Sequence, residues 1–208
     1  MTQNNSNNAF NISFLFSILL AICVGLFILW MGKFDSFQFI NSHHSTFFDY
    51  FFRFYTYLGD GFLWIPFFLY CIFLKKDFAT TVIAGFIISS LLTQLLKRVV
   101  FPDELRPVTF LTTEFPIHLI EGIKMNRLYS FPSGHTATAF TIALLITILI
   151  NKRIWNYLLP LLALLVGYSR LYLAQHFVSD VLFGIVIGIV SAFLSYYLIK
   201  KSHPKRDF

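Results

Sequence analysis

Long apolar runs at roughly 10–31, 58–74, 78–96, 134–150, 154–173 and 177–199 dominate the chain, separated by short polar segments. Most reach the roughly 17–25 residues that a hydrocarbon core demands of a spanning helix. The pattern predicts an all-α fold, a bundle of six transmembrane helices. The run over 134–150 is short, so its helix is expected to begin at or before Ser133 and to tilt or thin its surroundings. The segment TFFDYFFRFYT, at 46–56, mixes aromatic rings with charge. It suits a helix lying in the membrane interface, within the first outer loop, better than one crossing the bilayer.

Composition agrees. Of 208 residues, 57% are hydrophobic, 19% aromatic and 12% charged, and the mean hydropathy is +0.70, far from soluble globular domains. A chain of this size accommodates one bundle, so 1–208 reads as a single integral-membrane domain. The net charge of +6 is scattered in basic pairs between apolar runs, which are topology signals and not a nucleic-acid footprint. Cys23 and Cys71 lie inside apolar runs, where cysteine behaves as a small hydrophobe; neither a disulfide framework nor a metal-ligand spacing follows. The opening MTQNNSNNAF has no basic n-region, and the first run has no cleavage motif behind it, so it is expected to be a retained span.

Basic residues in the short loops set an orientation. Lys75 and Lys76, Lys152 and Arg153, and Lys200, Lys201, Lys205 and Arg206 would be cytoplasmic, with both termini on that side and the loop 97–133 outside. Trp30, Trp64 and Trp155 near span ends fit an interfacial belt.

Three polar islands then fall on one face: Lys97–Pro107, Phe131–His135 and Ser169–Asp180. Ionisable residues at membrane depth are costly, so their convergence is a functional signal. In chain order the sequence carries Arg106-Pro107, then Pro132-Ser133-Gly134-His135, then Ser169-Arg170, five residues, His176, three residues and Asp180. This resembles the three-part signature of the type 2 phosphatidic acid phosphatase superfamily, over about half of the chain.

The resemblance implies that His176 is a nucleophile forming a phosphohistidine. It implies that His135 protonates the leaving group and then activates water, with Asp180 orienting His176. Arg106 and Arg170 offer forked donors matched to phosphate oxygens, and Ser133 with the Gly134 backbone N–H adds donors at a helix N-terminus. The family's first part places a lysine six residues before Arg-Pro. Here Lys97 precedes Arg106 by eight intervening residues and Arg98 by seven. Lys97 is the favoured phosphate ligand, with Arg98 as the alternative. His43, His44, His118 and His203 read as interfacial residues, Ser169 and Ser179 as structural, and Asp60 in the phrase LGDG as a helix cap, with a place near the site as its alternative.

The expected activity is hydrolysis of a phosphate or diphosphate on a membrane lipid: undecaprenyl diphosphate, lipid A 1-phosphate, phosphatidylglycerol phosphate or phosphatidate. Transfer of the phosphoryl group to another lipid is the alternative, and an anion transporter a more distant one. No metal or cofactor is implied. The expected partners are a phosphorylated lipid and the bilayer, with the site on the extracytoplasmic face of the inner membrane.

Overall fold

The computed structural model describes residues 3–112, 115–150 and 152–202 and contains helices, turns and loops. In chain order the helices are α1 (Gln3–Met31), α2 (Lys33–Ser42), α3 (Thr46–Tyr55), α4 (Trp64–Leu74), α5 (Lys76–Leu95), α6 (Gly134–Ile150), α7 (Trp155–Tyr172) and α8 (Val178–Ser202). Lys205, Arg206 and His203, used above as topology or interface residues, lie outside the described residues.

The apolar runs became helices, with one exception. The run over 58–74 is helical only from Trp64; tight turns at Thr56–Gly59 and Gly61–Leu63 precede it. The cause is local, since Gly59 and Gly61 flank an extended Asp60 whose Oδ1 accepts a hydrogen bond from Phe62 N at 3.3 Å. The expected cap is therefore present, but on a short turn. The segments Thr46–Gly59 and Gly61–Leu74 meet at 53°.

Among the described residues, Asn7–Met31, Lys76–Val100 and Val178–Leu198 are long and apolar enough to cross a membrane. The bent pair counts as a fourth span if taken as one, and α6 is a shorter apolar helix. α2 was not anticipated; Gly32, at φ 83°, breaks the chain between α1 and α2. α3 does form, capped by Ser45, which accepts from Phe48 N at 3.4 Å. It buries Phe52 against Tyr168 and Tyr172 of α7 and leaves Phe47, Phe48 and Phe54 exposed.

α6 is the axis of the bundle, because almost every turn of it is buried. Gly184 and Gly188, four residues apart on α8, let the two backbones approach. A Cβ on Gly184 would stand 2.7 Å from the Ser133 carbonyl oxygen, and one on Gly188 would stand 2.5 Å from Phe140 Cβ. This packing fixes the start of α6 against the start of α8, the two helix ends that carry the sequence motifs. Ser133, expected as a phosphate donor, is the cap of α6: its hydroxyl accepts from Thr136 N, and its carbonyl accepts from Ala137 N.

Candidate active site

The end of α5, the start of α6, the end of α7 and the start of α8 meet at one end of the bundle and bring the three polar islands together. The loop Leu173–Phe177 joins α7 to α8 in a tight reversal, with Ala174 at φ 52° and the N–H groups of Gln175 and His176 both turned back to the Arg170 carbonyl. This turn delivers His176 to the interior, where it is 2% exposed.

Asp180, in the first turn of α8, stands with Oδ2 3.3 Å from His176 Nδ1. The same oxygen accepts from the Ser130 hydroxyl at 2.5 Å and from Phe177 N at 2.9 Å, and Oδ1 accepts from Ser179 at 3.2 Å. A carboxylate so supplied with donors acts as acceptor toward the imidazole, which assigns the proton to Nδ1 and leaves the Nε2 lone pair free. Burial, then the positive charges of Arg106, Lys97 and Arg170, hold His176 well below its ordinary pKa, against a weaker opposing backbone bond to Ser130. The ring is neutral, as a nucleophile requires.

His135 is the second residue of α6 and is only partly buried. Arg170, His176, Lys97 and Arg106 all lie within electrostatic reach of it. Its Nε2 is 4.0 Å from Asp60 Oδ2. The turn holding Asp60 presses on His135: a Cβ on Gly59 would be 2.7 Å from the His135 carbonyl oxygen and 2.9 Å from its Cβ. Only glycine permits that approach. Asp60 thus combines the cap expected from LGDG with a position beside a site histidine.

The two arginines differ. Arg106 is a clamp: Nε donates to Leu128 O at 3.1 Å, Nη1 to Gln175 O and Oε1 at 3.1 and 3.0 Å, and Nη2 to Tyr129 O at 3.3 Å. One of its five N–H groups remains for a ligand. Burial lowers its pKa and Asp180 opposes that, but a guanidinium stays charged. Arg170 donates to the Thr56 hydroxyl at 2.6 Å, and its buried Nε has no hydrogen-bond partner among the described residues. An orphaned buried guanidinium N–H is rare and is a ready anion donor.

Lys97 and Arg98 sit in a π turn, Leu96–Val100, closed by Phe101 N donating to Leu96 O at 2.8 Å. The wider turn takes up part of the extra spacing before Arg106. It turns Lys97 inward, within electrostatic reach of Arg106, Asp180 and Arg170. Arg98 points outward, is exposed, and donates from Nε to Gln94 Oε1 at 2.9 Å.

Ser133 is fully buried; its N–H donates to the Asp180 carbonyl at 2.9 Å and its hydroxyl accepts from Thr136 Oγ1 at 2.9 Å. The Gly134 N–H opens α6 and has no acceptor within the helix. Ser130, Gln175, Thr56 and Asp60 are the residues at the site that sequence reasoning passed over or set aside. Ser130 stands three residues before Ser133 and Gln175 one before His176, but nothing local marks Thr56, 114 residues from Arg170. Among the described residues the other histidines stay apart: His118 pairs with Asp49 at 2.9 Å and stacks on His44.

Beside the site, an apolar cavity of about 680 Å³ runs between α4 and α5, lined by Phe62, Trp64, Phe68, Val82, Ile83 and Phe86, with Asp60 at its rim.

Comparison with known proteins bears on the family and the fold. A family model described as the PAP2 superfamily matches residues 78–204. An undecaprenyl-diphosphatase from Sulfolobus acidocaldarius is 32% identical over 140 residues, 66% of this chain and 64% of the relative, so the match spans a little under two thirds of that protein. A lipid A 4'-phosphatase from Bacteroides thetaiotaomicron is 28% identical over 78% of this chain and 75% of its own. The crystal structure of Aquifex aeolicus LpxE superposes with a TM-score of 0.69 at 31% identity, covering 79% of this chain and 94% of that one. A transmembrane PAP2 type phosphatidylglycerolphosphate phosphatase from Bacillus subtilis shares the fold, with a TM-score of 0.64 at 23% identity over 93% and 97% of the two chains.

Proposed function

The chain belongs to the PAP2 superfamily, and from that footing we propose that it is an integral-membrane lipid phosphatase working through a phosphohistidine on His176. The observation that carries the reading is the pairing of a buried, neutral His176 with Asp180 among Arg106, Arg170 and Lys97.

The substrate phosphoryl oxygens take the free N–H groups of Arg170, the remaining N–H of Arg106, the Lys97 ammonium and the Gly134 N–H. Ser133 serves chiefly to cap α6 and hold that N–H in place. His176 Nε2 attacks phosphorus while the proton on Nδ1 stays shared with Asp180. His135, which takes up a proton as the phosphate dianion binds among the cations and which stands 4.0 Å from Asp60, gives that proton to the leaving oxygen. The P–O bond breaks, the lipid leaves, and phosphate remains on His176. His135, now neutral, takes a proton from water, and the hydroxide displaces the phosphate from His176 and restores both imidazoles. Acid–base help of this kind is worth about 10²–10⁴-fold. Fixed cations supply the charge neutralisation that phosphoryl transfer needs, so the reaction is expected to be independent of added metal and of any cofactor.

The apolar cavity ending at Asp60 offers the lipid tail a place beside His135, which supports a membrane lipid as substrate. Candidates are undecaprenyl diphosphate, lipid A 1-phosphate, phosphatidylglycerol phosphate and phosphatidate. The whole chain, 1–208, forms one domain with six spans, α1 and α4 to α8, while α3 lies in the outer interface. Both termini face the cytoplasm and the site opens on the extracytoplasmic face of the inner membrane, in keeping with the loop charges.

Phosphate release from a panel of lipid phosphates in detergent tests the reading. Release that survives EDTA and is blocked by vanadate, which adopts the five-coordinate geometry of the transition state, is the expected result. Dependence on added magnesium would count against the mechanism, and movement of phosphate onto a second lipid without free phosphate would make the protein a phosphotransferase.

A further inference from the structure

A second cavity, of about 440 Å³, lies at the C-terminal end of α5, and its lining includes Gln94, Lys97, Arg98, Arg106 and Arg127. It adjoins the reacting centre through Lys97 and Arg106 but contains neither site histidine. We propose that this cavity holds a second phosphoryl group of the substrate, so that the enzyme acts on lipids whose headgroup carries two phosphates. The proposal rests on the phosphatase reading and deepens it.

Charge is the first argument. Lys97, Arg106 and Arg170 suffice to balance a phosphate dianion together with Asp180. Arg98 and Arg127 are then in excess, by the charge of one further phosphate. Among the described residues, no carboxylate lies within ion-pair distance of Lys97, Arg98, Arg106 or Arg127. Arg98 spends only Nε on Gln94, so both of its NH₂ groups are free to fork onto an anion. The Arg127 carbonyl is pinned by Arg106 N at 2.9 Å, which anchors the backbone while the side chain remains exposed.

Placement is the second argument. Phe86, Ser90, Gln94 and Arg98 follow one another at intervals of four along α5 and its π turn, and so lie on one face. Phe86 lines the apolar cavity, and Gln94 and Arg98 line the cationic one. From Phe86 to Gln94 eight helical residues rise about 12 Å, and Arg98 lies a further turn along the chain. A lipid lying along this face puts its tail beside Phe86 and an outer anionic group at Arg98, with the reacting phosphate at the histidines beside both.

Two chemistries supply a second phosphate, a diphosphate on a polyprenol or two separate phosphates on a sugar headgroup, and matched pairs separate them. The full-length protein in detergent is assayed on a polyprenyl diphosphate against its monophosphate, and on a bisphosphorylated disaccharide lipid against its singly phosphorylated form. The doubly phosphorylated member of one pair is expected to have the higher kcat/KM, and that pair identifies the source. The Arg98→Gln, Arg127→Gln double variant is expected to lower this preference about tenfold or more, the usual scale of losing charge-assisted contacts. As a second reading independent of turnover, inorganic diphosphate should inhibit the wild type more strongly than orthophosphate, and the double variant should lose the difference. Equal losses on both members of each pair, or an unchanged preference, would overturn the subsite while leaving the phosphatase reading intact. No phosphate release from any of the four lipids by the wild type would instead overturn the phosphatase reading, and the subsite with it.

Discussion

The Ser130 hydroxyl donates to Oδ2 of Asp180 at 2.5 Å, and that same oxygen stands 3.3 Å from Nδ1 of His176. Ser130 therefore acts through Asp180 to set the imidazole, a positioning role. Hydrogen bonds to charged groups contribute about 1.5–3 kcal/mol. Ser130→Ala should lower kcat by about 10-fold or more with little change in KM, since the serine does not touch substrate. Ser130→Thr, which keeps the donor, should recover much of the loss. Steady-state kinetics on one lipid substrate checks both, and an unchanged kcat in Ser130→Ala would remove the serine from the account.

Lys97 faces the site and Arg98 faces Gln94, so the two neighbours should separate cleanly on a singly phosphorylated lipid. Lys97→Ala should lose about 10²–10³-fold in kcat/KM, the scale of one electrostatic donor in a sheltered site. Arg98→Ala should lose far less. The pH profile gives a second reading. Lys97 is among the cations that hold His176 below its ordinary pKa, so removing that charge makes protonation of the nucleophile easier. The acid limb of kcat/KM for Lys97→Gln should therefore move to higher pH than in the wild type. Ionisation of the substrate is common to both enzymes and cancels in the comparison. A large loss for Arg98→Ala beside a near-normal Lys97→Ala would reverse the assignment.

Orientation is testable by labelling from one side. In a background with Cys23→Ala and Cys71→Ala, Thr112→Cys and Ile154→Cys each place one thiol at an exposed position, at opposite ends of the bundle in the proposed topology. A membrane-impermeant maleimide added to intact cells, with the outer membrane permeable, should modify the first variant only. Labelling of both from outside would overturn the topology.

The helices bearing the motifs were legible because apolar length and cap chemistry are local properties. Ser133 ahead of Gly134 announces the start of α6, and the spacing of His176 and Asp180 announces one turn of α8. The break before α4 was not legible, because an apolar run does not reveal that Gly59 must press on His135, a contact across 76 positions of sequence. The same limit hid Thr56, while LGDG leaves a place near the site open to Asp60 as the alternative to a cap. The irregular spacing of Lys97 and Arg106 was visible in the sequence, but the π turn that absorbs part of it is a backbone adjustment without a residue signature. α2 was missed because Lys33–Ser42 is too short and too polar to stand out from a loop.

The central claim is that phosphate passes through His176. Wild-type enzyme is mixed with a lipid carrying radiolabelled phosphate, quenched within the first turnover under alkaline conditions that preserve phosphohistidine, and digested, with His176→Ala treated alongside. The account predicts label on the peptide containing His176, formed and lost at rates compatible with turnover. It predicts neither label nor turnover above background in the variant. Label on a different residue, or a His176→Ala enzyme that turns over at a near-normal rate, would contradict it.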